Sequence, residues 1–170
     1  MKSQKNLFGR FIKDIAPGTL TWIGLRPKRK HDMIPVKAAN AIEGLGLEGD
    51  HRCEKTPGSA RQVTIISEEY IQQIEHFTHR EQISPEVLRR NLVVKGLNLT
   101  AIRHQTFQIG EAIFEATALC HPCSRMEQAL GKGGVAAMLG HGGLCARIIK
   151  SGRFQVGDKV EVLLPIEQEK

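Results

Sequence analysis

No stretch of this chain approaches the roughly 18 consecutive apolar residues that a membrane-spanning helix needs, and no basic, apolar and small-residue segments follow one another as in a secretory leader. The sequence therefore predicts a cytoplasmic protein without a membrane partner. It also lacks the P-loop and the dinucleotide fingerprint, so nucleotide binding has no specific support. No internal repeat, low-complexity tract or linker divides it. No flavin, haem or iron–sulfur cysteine pattern is present, and no thioredoxin-like βαβ frame surrounds any cysteine pair. The net charge of +6 is not spread as a nucleic-acid reader would spread it. Eight of the Lys and Arg residues, with a single acid, fall within 1–31, which leaves the rest of the chain near neutral. A local basic excess without a reader motif predicts no nucleic-acid partner.

What is present suffices for one compact domain. The chain has 170 residues, 41% of them hydrophobic, enough for an ordinary core. Residues 1–18 read as an extension whose amphipathic helix, over 4–15, carries Leu7, Phe8, Phe11, Ile12 and Ile15 on one stripe and packs on the domain. Pro17-Gly18 ends it. Residues 19–164 form the domain and 165–170 a tail. Four cysteines in a chain without a leader read as thiols, some of them ligands or nucleophiles, not as a disulfide framework.

Eight short runs rich in Val, Ile, Thr, Phe or Leu predict strands: 19–25, 33–37, 61–66, 92–95, 106–109, 112–119, 144–150 and 159–164. A sheet of that size closes into a barrel, which buries such runs and leaves no edge. The predicted fold is therefore mainly β, a closed β-barrel decorated by a few helices. Ser67-Glu68-Glu69 opens one helix, with a side-chain acceptor at the cap and acids in the first turn, and Tyr70, Ile71, Ile74 and Phe77 on its packing face. Ser84-Pro85-Glu86 opens a second, with proline where its missing N–H costs nothing. Glycines cluster at 44–49, 131–134 and 140–143, either as ordinary turns or as loops that let backbone N–H groups approach an anion.

The chemistry concentrates in Cys120-His121-Pro122-Cys123-Ser124-Arg125-Met126, between a strand-like run and the start of a helix. The partial charge of a helix N-terminus and the full charge of Arg125 favour a thiolate at Cys123, and a thiolate attacks, carries sulfur or binds soft metals. Cys120, Cys123, His141 and Cys145 also have the outline of a structural zinc site, which would make the protein a zinc-stabilised binding module. Against it, a domain with a full core has no need of such a staple, and Cys145 lies in an apolar run where a buried thiol is common.

Six motifs in order resemble those of MOSC domains, named for the C-terminal domain of molybdenum cofactor sulfurase: Gly46 to His51, Arg61 to Ser67, Leu88 to Leu92, Cys120 to Met126, Gly140 to Gly143 and Gly157 to Val160. The resemblance runs from about 19 to 164. It implies a barrel like the one inserted in pyruvate kinase, molybdenum cofactor (molybdopterin) as the cofactor, and Cys123 as either the molybdenum ligand or the carrier of a persulfide. Arg89 and Asn91 match an Arg-x-Asn motif that would hold the cofactor phosphate and the pterin edge, although a surface ion pair is an equal reading for Arg89. Asp50 and His51 would serve substrate or pterin, or Asp50 would cap its turn. Arg125 joins the cofactor-binding set. His141 is either a proton donor near neutral pH or a loop-stabilising residue. The favoured activity is reduction of N-hydroxylated small molecules, with electrons from a separate donor protein. A non-enzymatic sulfur or cofactor carrier is the competing reading.

Overall fold

Seven of the eight expected strands close into a barrel in the computed structural model, which describes residues 7–164. They are β1 (Gly18–Leu25), β5 (Val63–Ser67), β6 (Leu92–Lys95), β7 (Thr106–Ile109), β8 (Ala112–Leu119), β9 (Leu144–Lys150) and β11 (Lys159–Leu163). The order is β11-β7-β8-β9-β5-β6-β1, and β1 closes the ring on β11 through Gly18 opposite Val160 and Thr19 opposite Lys159. The remaining expected strand, β2 (Ile34–Val36), pairs with β1 outside the ring. All barrel pairs are antiparallel except β5–β6. A parallel pair needs a crossover, and here two helices supply it, α1 (Glu68–Thr78) and α2 (Pro85–Leu88).

Residue character explains why β5 and β6 sit beneath the helices. In β5, Val63 and Ile65 point into the barrel core with Leu20, Ile23, Phe107 and Phe114, while Ile66 joins a second cluster with Ile71, Ile74, Leu88, Met126 and Met138. β6 divides the same way, Leu92 and Val94 inward and Val93 toward the helices. Strands buried on both faces read as continuous apolar runs, not as alternation. α1 starts as expected, with the Ser67 hydroxyl accepting the Tyr70 N–H at 3.1 Å. Its Ile71 and Ile74 are buried, but Phe77 is 55% exposed, at the edge of the predicted packing face.

Three strands are additional to the expected set. β3 (Ala38–Ile42), β4 (Gly46–Leu47) and β10 (Gly152–Gln155) form a separate sheet in the order β10-β3-β4. Its Ala39, Ala41, Leu47 and Phe154 join the barrel core, with the Phe154 ring edge-on to Phe114 at 5.8 Å. After β8 come α3 (Ser124–Leu130) and α4 (Gly134–Met138), the latter starting within a glycine cluster that the sequence left as turn or loop. Of the predicted 4–15 helix, residues 4–6 lie outside the described residues, as does the 165–170 tail. Residues 7–9 are helical and Ile12 is buried, whereas Phe11 is 79% exposed, so the described part of the apolar stripe does not pack as a whole.

Candidate functional site

Cys123 is the N-cap residue of α3, with extended backbone, and its side chain is exposed. Pro122 before it and the buried Met126 and Leu130 after it set this geometry: the apolar pair pins the helix to the second cluster while the cap residue faces outward. Arg125 is exposed in the first turn of the same helix. Arg89 lies close enough to feel it. Burial, then the charges of Arg125 and Arg26, pull the Arg89 guanidinium below its usual range, partly countered by Asp32 and Asp50. Arginine stays charged in proteins, so the shift records the cost of burial first and then repulsion of Arg89 by Arg125 and by Arg26. Arg89 itself occupies the left-handed region (φ 57°) at the end of α2 and donates to the His31 carbonyl at 2.8 Å. Among the described residues no carboxylate forms an ion pair with it.

Asp50 and Asn91 face each other in the interior. The Asp50 carboxylate accepts the Arg26 N–H and Nε–H, each at 3.0 Å, and the Asn91 Nδ2–H at 2.9 Å. It also accepts the Arg52 N–H at 3.0 Å, as the cap of the short 3₁₀ turn His51–Glu54. Burial opposes its ionisation, but Arg26 and the backbone donors of Arg52 and Arg26 outweigh burial and hold its pKa below the usual carboxylate value. Asn91 gives its second N–H to the Gly24 carbonyl, and its oxygen accepts from Arg26, from the Thr64 N–H and from the Thr64 hydroxyl. Both residues thus spend their polar atoms on each other, on Arg26 and on the ends of β1, β5 and β6. They position Arg26; no polar atom of Asn91 is left over for a pterin edge.

Arg26, His51, Arg52, Lys55, Arg61 and Thr64 line a basic cavity of about 230 Å³. His51 is held there by the Arg26 carbonyl at 3.2 Å and by Asp50 at 3.4 Å. The same Arg26 also acts on Arg89, so the cavity and Arg89 share a neighbouring cation. A larger groove of about 700 Å³, with Trp22, Ile71, Glu75 and Ile83 in its wall, contains none of the candidate site residues, and its size alone gives it no chemistry.

His141 turns toward α1. Its ring lies edge-on to Tyr70 at 5.4 Å and to Phe77 at 5.6 Å, and Nδ1 meets the Leu139 carbonyl at 3.1 Å. These contacts are those of the loop-stabilising reading. Cys145 is buried and engaged with Cys120. The zinc quartet does not assemble: among the described residues no group of three or more His, Cys, Asp or Glu is placed to hold a metal ion.

Besides Cys123, the structure draws attention to Cys120, which the sequence offered only as a zinc ligand. Cys120 is 1% exposed. A hydrogen bond from Cys145, opposed by burial and assisted by Arg90, Arg61 and Arg26, lowers its pKa from 9.0 to about 6. Cys145 is pushed the other way and stays a thiol. Arg90 was missed as a site residue because nothing in the sequence tells which arginine of Leu88-Arg89-Arg90-Asn91 turns inward, and Arg61 because its partner, the Cys120 sulfur, lies 59 positions away.

The structure is thus a closed mixed barrel with an exposed cysteine at the head of a helix and Arg125 in that helix's first turn. The MOSC domain family model matches residues 50–161, and the chain belongs to that family, one associated with the molybdenum cofactor. Among solved structures, the YuaD protein from Bacillus subtilis superposes with a TM-score of 0.73 at 19% identity, covering 86% of this chain and 96% of that one. YiiM from Escherichia coli gives 0.66 at 20% identity, with 87% and 71% covered. YiiM from Geobacillus stearothermophilus gives 0.70 at 15%, with 86% and 75% covered. At these identities the likeness shows the fold alone. No curated protein matches the chain. Among the described residues no helix is long and apolar enough to cross a membrane.

Proposed function

We propose that this protein holds molybdenum cofactor through Cys123 and reduces N-hydroxylated small molecules. The observation that carries the reading is the exposed Cys123 at the head of α3, two residues before Arg125, whose charge also acts on Arg89. The donor set suits the group: a cysteine sulfur is a soft ligand, and guanidinium forks recognise phosphate. Arg89 and Arg125, with Arg26 and His51 at the cavity, would take the anionic end, while Asp50 and Asn91 keep Arg26 aimed. When bound, the cofactor supplies a metal that exchanges electrons with the substrate. Reducing N–OH to N–H takes two electrons and two protons and releases water, so a separate protein must donate the electrons.

The test uses protein purified from a host that makes the cofactor, with a reduced dye as donor and hydroxylamines and amidoximes as substrates. Turnover that disappears in Cys123→Ser and falls at least about tenfold in an Arg89→Gln/Arg125→Gln double variant supports the reading, since a charged hydrogen-bond partner contributes roughly 1.5–3 kcal/mol. No turnover, together with one extra sulfur atom on Cys123 by mass spectrometry, replaces it with the non-enzymatic carrier.

A further inference from the structure

Two arginines meet at Cys120 without a carboxylate partner among the described residues: Arg90, which is buried, and Arg61, which is exposed and reaches inward with its guanidinium. Arg90 is 5% exposed and donates Nε–H to Gly142, Nη1–H to Leu88 and Nη2–H to Cys120, at 2.8, 2.8 and 3.3 Å, each time to a backbone carbonyl. Arg61 directs Nη2 to the Cys120 sulfur at 3.4 Å. Among the described residues Asp50 pairs with Arg26, Glu68 with Lys95 and Glu115 with Arg147, so neither Arg61 nor Arg90 has a carboxylate partner. A buried guanidinium served only by neutral acceptors is costly, and proteins pair such charges. Two thiols lie near both arginines, Cys120 and Cys145, and Cys120 is the one whose sulfur accepts from Arg61 and from Cys145 on β9.

We propose that Cys120 is a resident thiolate, the buried counter-anion of Arg61 and Arg90, and that this charge anchors the segment from which Cys123 is displayed. Each polar atom of Cys120 is tied down. Its N–H donates to the Gly143 carbonyl at 2.8 Å, its carbonyl accepts from Arg90, and its sulfur accepts from Arg61 and Cys145. The chain is therefore fixed three positions before Cys123, and Arg90 bridges it to the Gly142 carbonyl on the following loop. Cys120 is a positioning residue that acts through its charge. The arrangement stands on geometry within the protein and does not depend on the cofactor.

The groups that face the sulfur are Cys145 from β9, Arg90 before β6, Arg61 before β5 and Arg26 after β1. Because ionisation is easier in the folded state, the thiolate's stabilisation is complete above the ordinary thiol value of 9.0 and is lost as pH falls through about 6. The test follows ultraviolet thiolate absorbance against pH in a Cys123→Ser background. One thiolate step with its midpoint near 6 is expected, lost in Cys120→Ser and raised by at least about one pH unit in Arg61→Gln or Cys145→Ala. No step in the parent, or a step that survives Cys120→Ser, overturns the proposal. If Cys120→Ser does not fold, Arg61→Gln decides, and an unmoved midpoint overturns it. A structural role alone would not distinguish Cys120→Asp from Cys120→Ser. The thiolate predicts that at neutral pH the aspartate variant melts close to the parent and the serine variant well below it, with the serine deficit shrinking under acid; equal melting of the two contradicts it.

Discussion

Asp50→Ala is expected to cost about 3–5 kcal/mol, the range for breaking a buried charge pair from one side. The loss is large because the carboxylate is a hub. Arg26 gives it a backbone and a side-chain N–H, Asn91 an amide N–H and Arg52 a backbone N–H, and the carboxylate is 1% exposed. Deleting it leaves the Arg26 charge without its partner among other cations and one Asn91 amide N–H unpaired in the interior, and β1, the 3₁₀ turn and the approach to β6 lose their common fastening. Denaturant unfolding of wild type and variant measures the difference. The same carboxylate sets an acid dependence. Its pKa is lowered on folding, so its contribution is present above the ordinary value of 3.8 and is lost as pH falls below it. The gap between wild type and Asp50→Ala should narrow there, and a gap unchanged down to the acid transition would deny Asp50 this role.

Gly143→Ala is expected to be the most damaging glycine substitution in the 140–143 turn. A Cβ at 143 would sit 1.9 Å from the Ile65 carbonyl oxygen, and the backbone there has φ +86°. The left-handed conformation alone costs a non-glycine residue about 1–3 kcal/mol. Overpacking against a strand that cannot retreat adds about 1–3 kcal/mol. Ile65 belongs to β5, which pairs with β6 and β9, and the Gly143 carbonyl also receives the Cys120 N–H, so relief of the clash displaces the Cys120 to Cys123 segment. Gly140→Ala is the control. Its φ is +81° but nothing lies within 4 Å of the added Cβ, so it should lose only the conformational part. Equal melting temperatures for the two variants would show that the close approach to β5 does not matter.

The barrel was legible in the sequence because its strands are dense in branched and aromatic residues, and seven such runs needed only to find their order. The second sheet was not. Ala38-Ala39-Asn40-Ala41-Ile42 has little β propensity, β4 is two residues long, and Gly152-Arg153-Phe154-Gln155 offers one large apolar side chain. Tertiary pairing makes these strands, and the buried Phe154 repays it. The site shows the same division. Cys123 could be located because proline and a helix start mark its position. The separate roles of Arg89 and Arg90 could not, since they follow from a left-handed turn at 89 that sends the first arginine toward His31 and the second into the interior. Asp50 and Asn91 announce polarity in sequence but not that they consume each other's hydrogen bonds. The Cys120–Cys145 contact joins residues 25 positions apart, across the antiparallel β8–β9 pair, and pattern spacing showed only a zinc outline, weighed against a buried thiol at Cys145, with no sign that the two cysteines meet.

The most direct measurement is molybdenum and pterin content of wild type and Cys123→Ser, purified anaerobically from a host that makes molybdenum cofactor. Near-stoichiometric molybdenum in the wild type that disappears in the variant, with both chains folded, is the result predicted. Molybdenum absent from both, or retained by Cys123→Ser, would contradict the claim that this domain holds the cofactor through Cys123.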